Sequence, residues 1–286
     1  MTTNTSLLLD PPLGRAAYSD RSAWIMARCS ELAYVQFEKG REKQLRDSLN
    51  EIRLDLSTTF DREGTQAFVA KNQRYAVLAF RGTEEDLRDI LADIKIRFYR
   101  DKTGAKIATG FSEALTLVEK DVTQAVAQID PNLPLYVTGH SLGGALAAVA
   151  STRIRPSDRI AACYTFGCPR VGDGEFANQL WKVPVYRLVH AADIVPRFPL
   201  PFGYRHAGDL RYIKRSGDLI EGPNALGTSL AFTFTFATQG KTVFHDHKIA
   251  DYASSLRAWA VKRLEPEKEP GPTPPKTLAA SPGASR

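Results

Sequence analysis

Apolar residues along this chain recur with two different periods, and the switches between them mark out its elements. From Ser22, apolar or small residues fall at helical spacing: Ala23, Met26, Ala27, Ser30, Ala33, Tyr34 and Phe37. A charged stretch follows, then two strand-like runs, TQAFVAKN at 65–72 and RYAVLAF at 74–80, which the Asn72-Gln73 link predicts to pair as a hairpin. Beyond Phe80 strands and helices alternate. Phe111, Ala114, Leu115, Val118, Val122, Ala125 and Ile129 form an amphipathic stripe that Pro131 and Pro134 end. LPLYVTG at 133–139 reads as a strand and 141–153 as a helix. IAACYTF at 160–166 reads as a strand, GDGEFANQLW at 172–181 as a short helix and VPVYRLV at 183–189 as another strand. A last helix carries Ile249, Tyr252, Ala253, Leu256 and Ala260. Strands apolar on both faces, alternating with helices, predict an α/β fold with a mostly parallel central sheet and helices on both faces.

The pattern also divides the chain. Residues 1–18 read as a flexible lead-in broken at Pro11-Pro12, 19–263 as one domain, and 264–286 as a Pro-rich tail too poor in large apolar residues to fold. With 286 residues, 43% of them hydrophobic and 24% charged, the chain has enough apolar material for a substantial core. A net charge of +6 favours anionic surfaces, phospholipid headgroups among them. There is no dense basic block and no nucleic-acid-binding motif, which sets nucleic acid aside as a partner. Cys29, Cys163 and Cys168 form no C-x-x-C pair and are odd in number, so they read as small buried residues in a reducing compartment. The N-terminal MTTNTSLLLDPPLGR lacks a basic n-region, and no run approaches the ~20 apolar residues that cross a bilayer. A cytoplasmic protein, or one bound peripherally to a membrane or lipid droplet, is the expectation. No metal cluster and no cofactor motif is legible, and nothing in the sequence sets the oligomeric state.

Candidate chemistry centres on VTGHSLGGALAA at 137–148, where an apolar strand gives way directly to a small-residue helix. Gly139-x-Ser141-x-Gly143 in that context is a nucleophile elbow. The turn lifts the serine hydroxyl above the sheet edge, and glycines two positions either side spare the collisions a Cβ would cause. Gly144, Ala145, Ala147 and Ala148 let the helix lie close, and its N-terminus offers N–H groups and positive partial charge. A serine needs a base, and in this fold the partners follow in the order Ser, acid, His. FHDHKIADY holds two well-placed histidines, His245 and His247; His247 is preferred because it opens the last helix. For the acid, Asp193 at the carboxyl end of a strand is the natural site. Asp173 competes but also reads as a helix N-cap, and Asp209 and Asp218 are more distant candidates. His140, inside the motif, reads as a structural neighbour.

Together VLAFRGT at 77–83, TGHSLGGALA at 138–147, FGCPRVGD at 166–173, AADIVPR at 191–197 and DHKIADY at 246–252 resemble the class 3, fungal-type lipase family, whose fold is the α/β-hydrolase fold. The resemblance runs over roughly residues 60–255. Lacking the fungal members' signal and disulfides, the chain looks closer to their bacterial relatives. The resemblance implies Ser141 as nucleophile, Asp193 as acid and His247 as base, with an oxyanion hole from Thr83 and the N–H of Leu142. It departs at Ala108, where family members commonly carry a histidine.

The same resemblance implies a lipid or ester substrate. In the family the segment after the Thr83 position acts as a lid; here, at 84–100, Leu87, Ile90, Leu91 and Ile94 line one face opposite Glu85, Arg88 and Asp89. Residues 225–241 are the second lid candidate, with Phe232, Phe234 and Phe236 alternating with threonines. The expected activity is hydrolysis of long-chain acyl glycerols. The alternatives are phospholipase or short-chain carboxylesterase action, or lipid binding without catalysis on the same fold.

Overall fold

The computed structural model describes residues 6–13, 17–83, 98–154, 159–222 and 245–264. In chain order its elements are α1 (Asp20–Leu32), α2 (Glu42–Glu51), β1 (Asp55–Arg62), β2 (Thr65–Lys71), β3 (Ala76–Phe80), β4 (Phe98–Arg100), β5 (Lys106–Ala108) and α3 (Thr109–Ala127). Then come β6 (Leu135–His140), α4 (Leu142–Arg153), β7 (Ile160–Phe166), α5 (Gly174–Gln179), β8 (Val185–His190), β9 (Asp209–Ile213), β10 (Leu219–Glu221) and α6 (Ile249–Leu264).

Among the described residues the main sheet has eight strands in the order β1-β2-β3-β6-β7-β8-β9-β10. β3, β6, β7, β8 and β9 are parallel, and antiparallel pairs close both edges. Side-chain alternation splits the core in two. Phe68, Val77, Tyr136, Tyr164 and Tyr186 face α1 and α6; Val69, Leu78, Val137, Cys163 and Val185 face α3 and α4. This is the mostly parallel sheet with helices on both faces that the alternating pattern predicted, and it is the α/β-hydrolase fold that the resemblance implied.

The local reasons lie in the sequence. The 65–80 hairpin forms because Asn72 Oδ1 accepts from the N–H groups of Arg74 and Tyr75, turning the chain between β2 and β3. Phe111, Leu115, Val118, Val122 and Val126 bury the apolar stripe of α3. The charged stretch after Phe37 is where pattern reading falls short. It holds α2, which buries only Leu45 and Leu49, and the edge strand β1. β9 and β10, partly exposed, likewise lack an apolar run to announce them.

One feature of the sheet positions the site. Register pairs Phe80 with Gly139, His140 with Phe166, and Phe166 with Leu188, so the carboxyl ends of β3, β6, β7 and β8 meet at one rim. The residues that follow those ends are Arg81–Thr83, Ser141, Gly167 and Ala191–Asp193. In open α/β sheets that rim is where ligands bind.

Candidate active site

Ser141 links β6 to α4 with φ 57° and ψ −126°, a left-handed backbone that a serine rarely adopts. Such a residue costs on the order of 1–3 kcal/mol and persists only where its surroundings over-determine it. Here they do: Ser141 N donates to Phe166 O at 2.9 Å, and Gly144 N reaches Ser141 O at 3.0 Å. A Cβ on Gly139 would overlap the main chain of Gly143, and one on Gly143 would lie 2.8 Å from Arg81 C. The glycine spacing is therefore set by strand and helix crossing at backbone distance. Ser141 Oγ is buried and has no hydrogen-bond partner among the described residues.

The chain leaves β8 through Ala191, at φ 43°, and places Asp193 with only 1% of its surface exposed. Asp193 Oδ1 accepts from Val195 N at 2.9 Å; Oδ2 lies 2.8 Å from His247 Nδ1 and accepts from Tyr252 Oη at 2.7 Å. A carboxylate only accepts, so Nδ1 carries the imidazole proton and Nε2 is left as the basic nitrogen. That Nε2 is buried and has no partner among the described residues. Burial, then the Asp193 charge, push the Tyr252 phenol well above its ordinary pKa, so it stays a donor.

Gly167, at the end of β7, joins the two halves. Its φ is 56°, and a Cβ there would lie 2.6 Å from Asp193 Oδ2 and 2.9 Å from His247 Nδ1. Phe166 holds the Ser141 N–H, and the next residue abuts the His247–Asp193 pair.

Two further side chains brace this rim. Asp246, buried, accepts at Oδ2 from Ala192 N at 3.0 Å and from Arg215 at 2.6 Å, tying the turn before α6 to the loop that carries Asp193. His140 lies 2.8 Å through Nδ1 from Tyr34 Oη and 2.6 Å through Nε2 from His247 O, and its ring centroid is 4.4 Å from that of His247.

The structure thus brings Ser141, Asp193 and His247 to one rim. Thr83 reaches the same place. It follows Gly82, where a Cβ would lie 3.3 Å from Ser141 Cβ, and Arg81 in that turn is anchored by Glu38 at 3.0 Å. Leu142 is the first residue of α4. The competing residues stand apart. His245 is exposed, 3.8 Å from Asp251. Asp173 caps α5 by accepting from Phe176 N, Asp209 opens β9 exposed, and Asp218 accepts from Ser216 in the β9–β10 turn. Ala108 is the N-cap residue of α3. Cys29, Cys163 and Cys168 are buried free thiols, and burial raises the pKa of Cys29 and Cys163 to about 12. Of the first lid candidate, Phe98–Arg100 form β4; residues 84–97 and the whole of 225–241 lie outside the described residues. Among the described residues, no group could hold a metal ion and no helix is long and apolar enough to cross a membrane.

Sequence reasoning missed Tyr252, Asp246, Arg215 and Tyr34 as parts of this rim. Tyr252 had a signal: a tyrosine on the buried stripe of a helix needs a polar partner for its hydroxyl. The others carry none, because their partners lie far away in the chain.

The family description "Lipase (class 3)" fits residues 77–203. A lipase of Rhizopus niveus is 36% identical over 165 aligned residues, which are 52% of this chain and 42% of that protein, so the match spans less than half of the relative. The crystal structure of a lipase from Rhizopus microsporus var. chinensis superimposes with a TM-score of 0.66 at 27% identity, over 84% of this chain and 88% of that one. The structure of a triacylglycerol lipase whose catalytic centre is described as a serine protease triad gives 0.64 at 25% identity, over 83% and 95%. Its fold, its elbow and these likenesses agree: over residues 77–203 the chain is similar to the class 3 lipases.

Proposed function

We propose that this chain is a serine hydrolase cleaving carboxylic ester bonds of lipids, with Ser141 as nucleophile, His247 as general base and acid, and Asp193 as the carboxylate that orients the imidazole. One observation carries the reading. The His247 Nδ1–Asp193 bond leaves a buried Nε2 on the same Phe166–Gly167 junction as a strained serine, and neither Nε2 nor the serine Oγ has a partner among the described residues.

In this mechanism Ser141 Oγ bonds to the ester carbonyl carbon while its proton passes to His247 Nε2. Asp193 stabilises the imidazolium without taking the proton. The carbonyl oxygen, now negative, is held by the N–H of Leu142, at the positive end of α4, and by Thr83. Collapse breaks the bond to the alcohol, which leaves with the proton from Nε2. Water then follows the same path to release the carboxylic acid and restore Ser141.

Acyl glycerols are the proposed substrate class, supported by likeness to proteins named lipase and triacylglycerol lipase. The net charge of +6 suits work at an anionic lipid surface. The experiment is hydrolysis of an ester series of increasing acyl length, measured below and above micelle formation. Wild type is expected to turn over the series. Ser141→Ala and His247→Ala lose about 10⁴-fold or more in kcat with the fold retained, and His245→Ala stays near wild type. Near-wild-type turnover by Ser141→Ala would refute the assignment.

A further inference from the structure

An imidazole gripped by a carboxylate at one nitrogen can still pivot about that bond, and a base that pivots loses its aim at the serine. Among the described residues, the His247 ring is gripped by Asp193 at Nδ1 and by nothing at Nε2. What removes the remaining freedom is the residue just before the elbow serine. His140 Nε2 lies 2.6 Å from the main-chain oxygen of His247, and the two rings lie 4.4 Å apart at 37°.

The tautomer of His140 follows from its partners. A carbonyl oxygen only accepts, so Nε2 carries a proton and donates to His247 O. In the neutral ring Nδ1 is then bare and accepts from the Tyr34 hydroxyl at 2.8 Å. Both nitrogens are satisfied while the ring is buried. Burial, followed by the repulsion of His247, also lowers the His140 pKa well below the usual histidine value, which agrees with a neutral ring. Among the described residues, the titratable groups in contact with the two rings are Tyr34 after α1, Tyr252 on α6 and Asp193 after β8.

We infer that His140 is a positioning residue for His247: fixed in the Nε2–H tautomer by Tyr34, it clamps the main chain of His247 and shields one face of its ring from water. The inference rests on the proposed role of His247 as the base. It separates two contributions. The hydrogen bond holds the base in place and so sets kcat; the ring cover limits solvation of the imidazolium and so sets the pH at which activity is lost in acid.

Two conservative variants separate them. His140→Gln can still extend an amide N–H to the His247 carbonyl but no longer covers the ring. His140→Asn is too short for that donor and also uncovers the ring. With a short-chain soluble ester, His140→Asn should lose about 10–100-fold in kcat at little-changed KM, and His140→Gln should recover most of that loss. In both, water reaches the His247 ring and the acid limb of kcat/KM should move up by roughly half a pH unit or more. Equal losses in the two variants, or an acid limb that stays at its wild-type position, would overturn the inference. If His140→Asn does not fold, the acid limb of His140→Gln decides alone. Failure of the triad reading is distinguishable, because it appears as activity surviving in Ser141→Ala.

Discussion

Tyr252 and Asp193 are joined by a 2.7 Å hydrogen bond in which the phenol donates to Oδ2, the same oxygen that takes His247 Nδ1. The hydroxyl also accepts from His190 N at 3.0 Å, so one side chain on α6 fixes both the end of β8 and the carboxylate beyond it. Removing it leaves a buried N–H without a partner and a carboxylate short of one donor, each worth about 1–3 kcal/mol. Tyr252→Phe is expected to lower the urea midpoint and to reduce kcat by about tenfold, or ~1.4 kcal/mol. Steady-state kinetics alongside equilibrium unfolding check it; an unchanged kcat would show that the phenol has no bearing on Asp193.

Gly167 gives a sharper test, because its side of the site has no spare room. A methyl group there would press on both Asp193 Oδ2 and His247 Nδ1, at a backbone φ of 56° that alanine resists. Gly167→Ala should cut kcat by about 10² or more through displacement of the pair. Gly110, at the start of α3, is the control: a Cβ there meets nothing within 4 Å. Gly110→Ala should leave kcat unchanged and hold or raise the melting temperature, since alanine favours a helix by about 0.5–1 kcal/mol.

Acid stability follows from His140. Its pKa is lowered in the folded protein, so between that value and the unfolded value of about 6.5 the unfolded chain binds the extra proton. Stability is therefore full above about pH 6.5 and falls as pH drops below it, by up to about 1.4 kcal/mol per pH unit from this group. His206, lowered by burial and by the nearby Arg187 and Arg170, adds to the same slope. Urea midpoints from pH 7.5 down to 5 measure it, and His206→Gln should flatten the decline. A midpoint that is level across the range would contradict a neutral His140.

Much of this was open to reading in the chain itself. The parallel core strands are apolar runs because both of their faces are buried, and the elbow is visible because close crossing of β6 and α4 demands glycine at fixed spacing. β1 and α2 were lost in a charged stretch because an edge strand and a surface helix bury few side chains and leave a weak period. His140 illustrates the limit at the site. Alternation along β6 says only that its side chain leaves the strand opposite to its neighbours. That it meets His247, distant in sequence, depends on how α6 docks. Asp246 escaped for the same reason, its partners Ala192 and Arg215 being set by the loop after β8 and the β9–β10 turn.

The attachment of α6 has a consequence for timing. His247 lies just before α6 and Tyr252 on it, and Arg263 at its far end pairs with Asp20 of α1 at 3.3 Å. A ribosome-bound chain that has already emerged through Ser141 and Asp193 still lacks His247, the proposed proton acceptor. Under the proposed mechanism, hydrolytic competence therefore waits until α6 has emerged and settled against α1. A nascent chain stalled before that point would be chemically silent however well its sheet had formed.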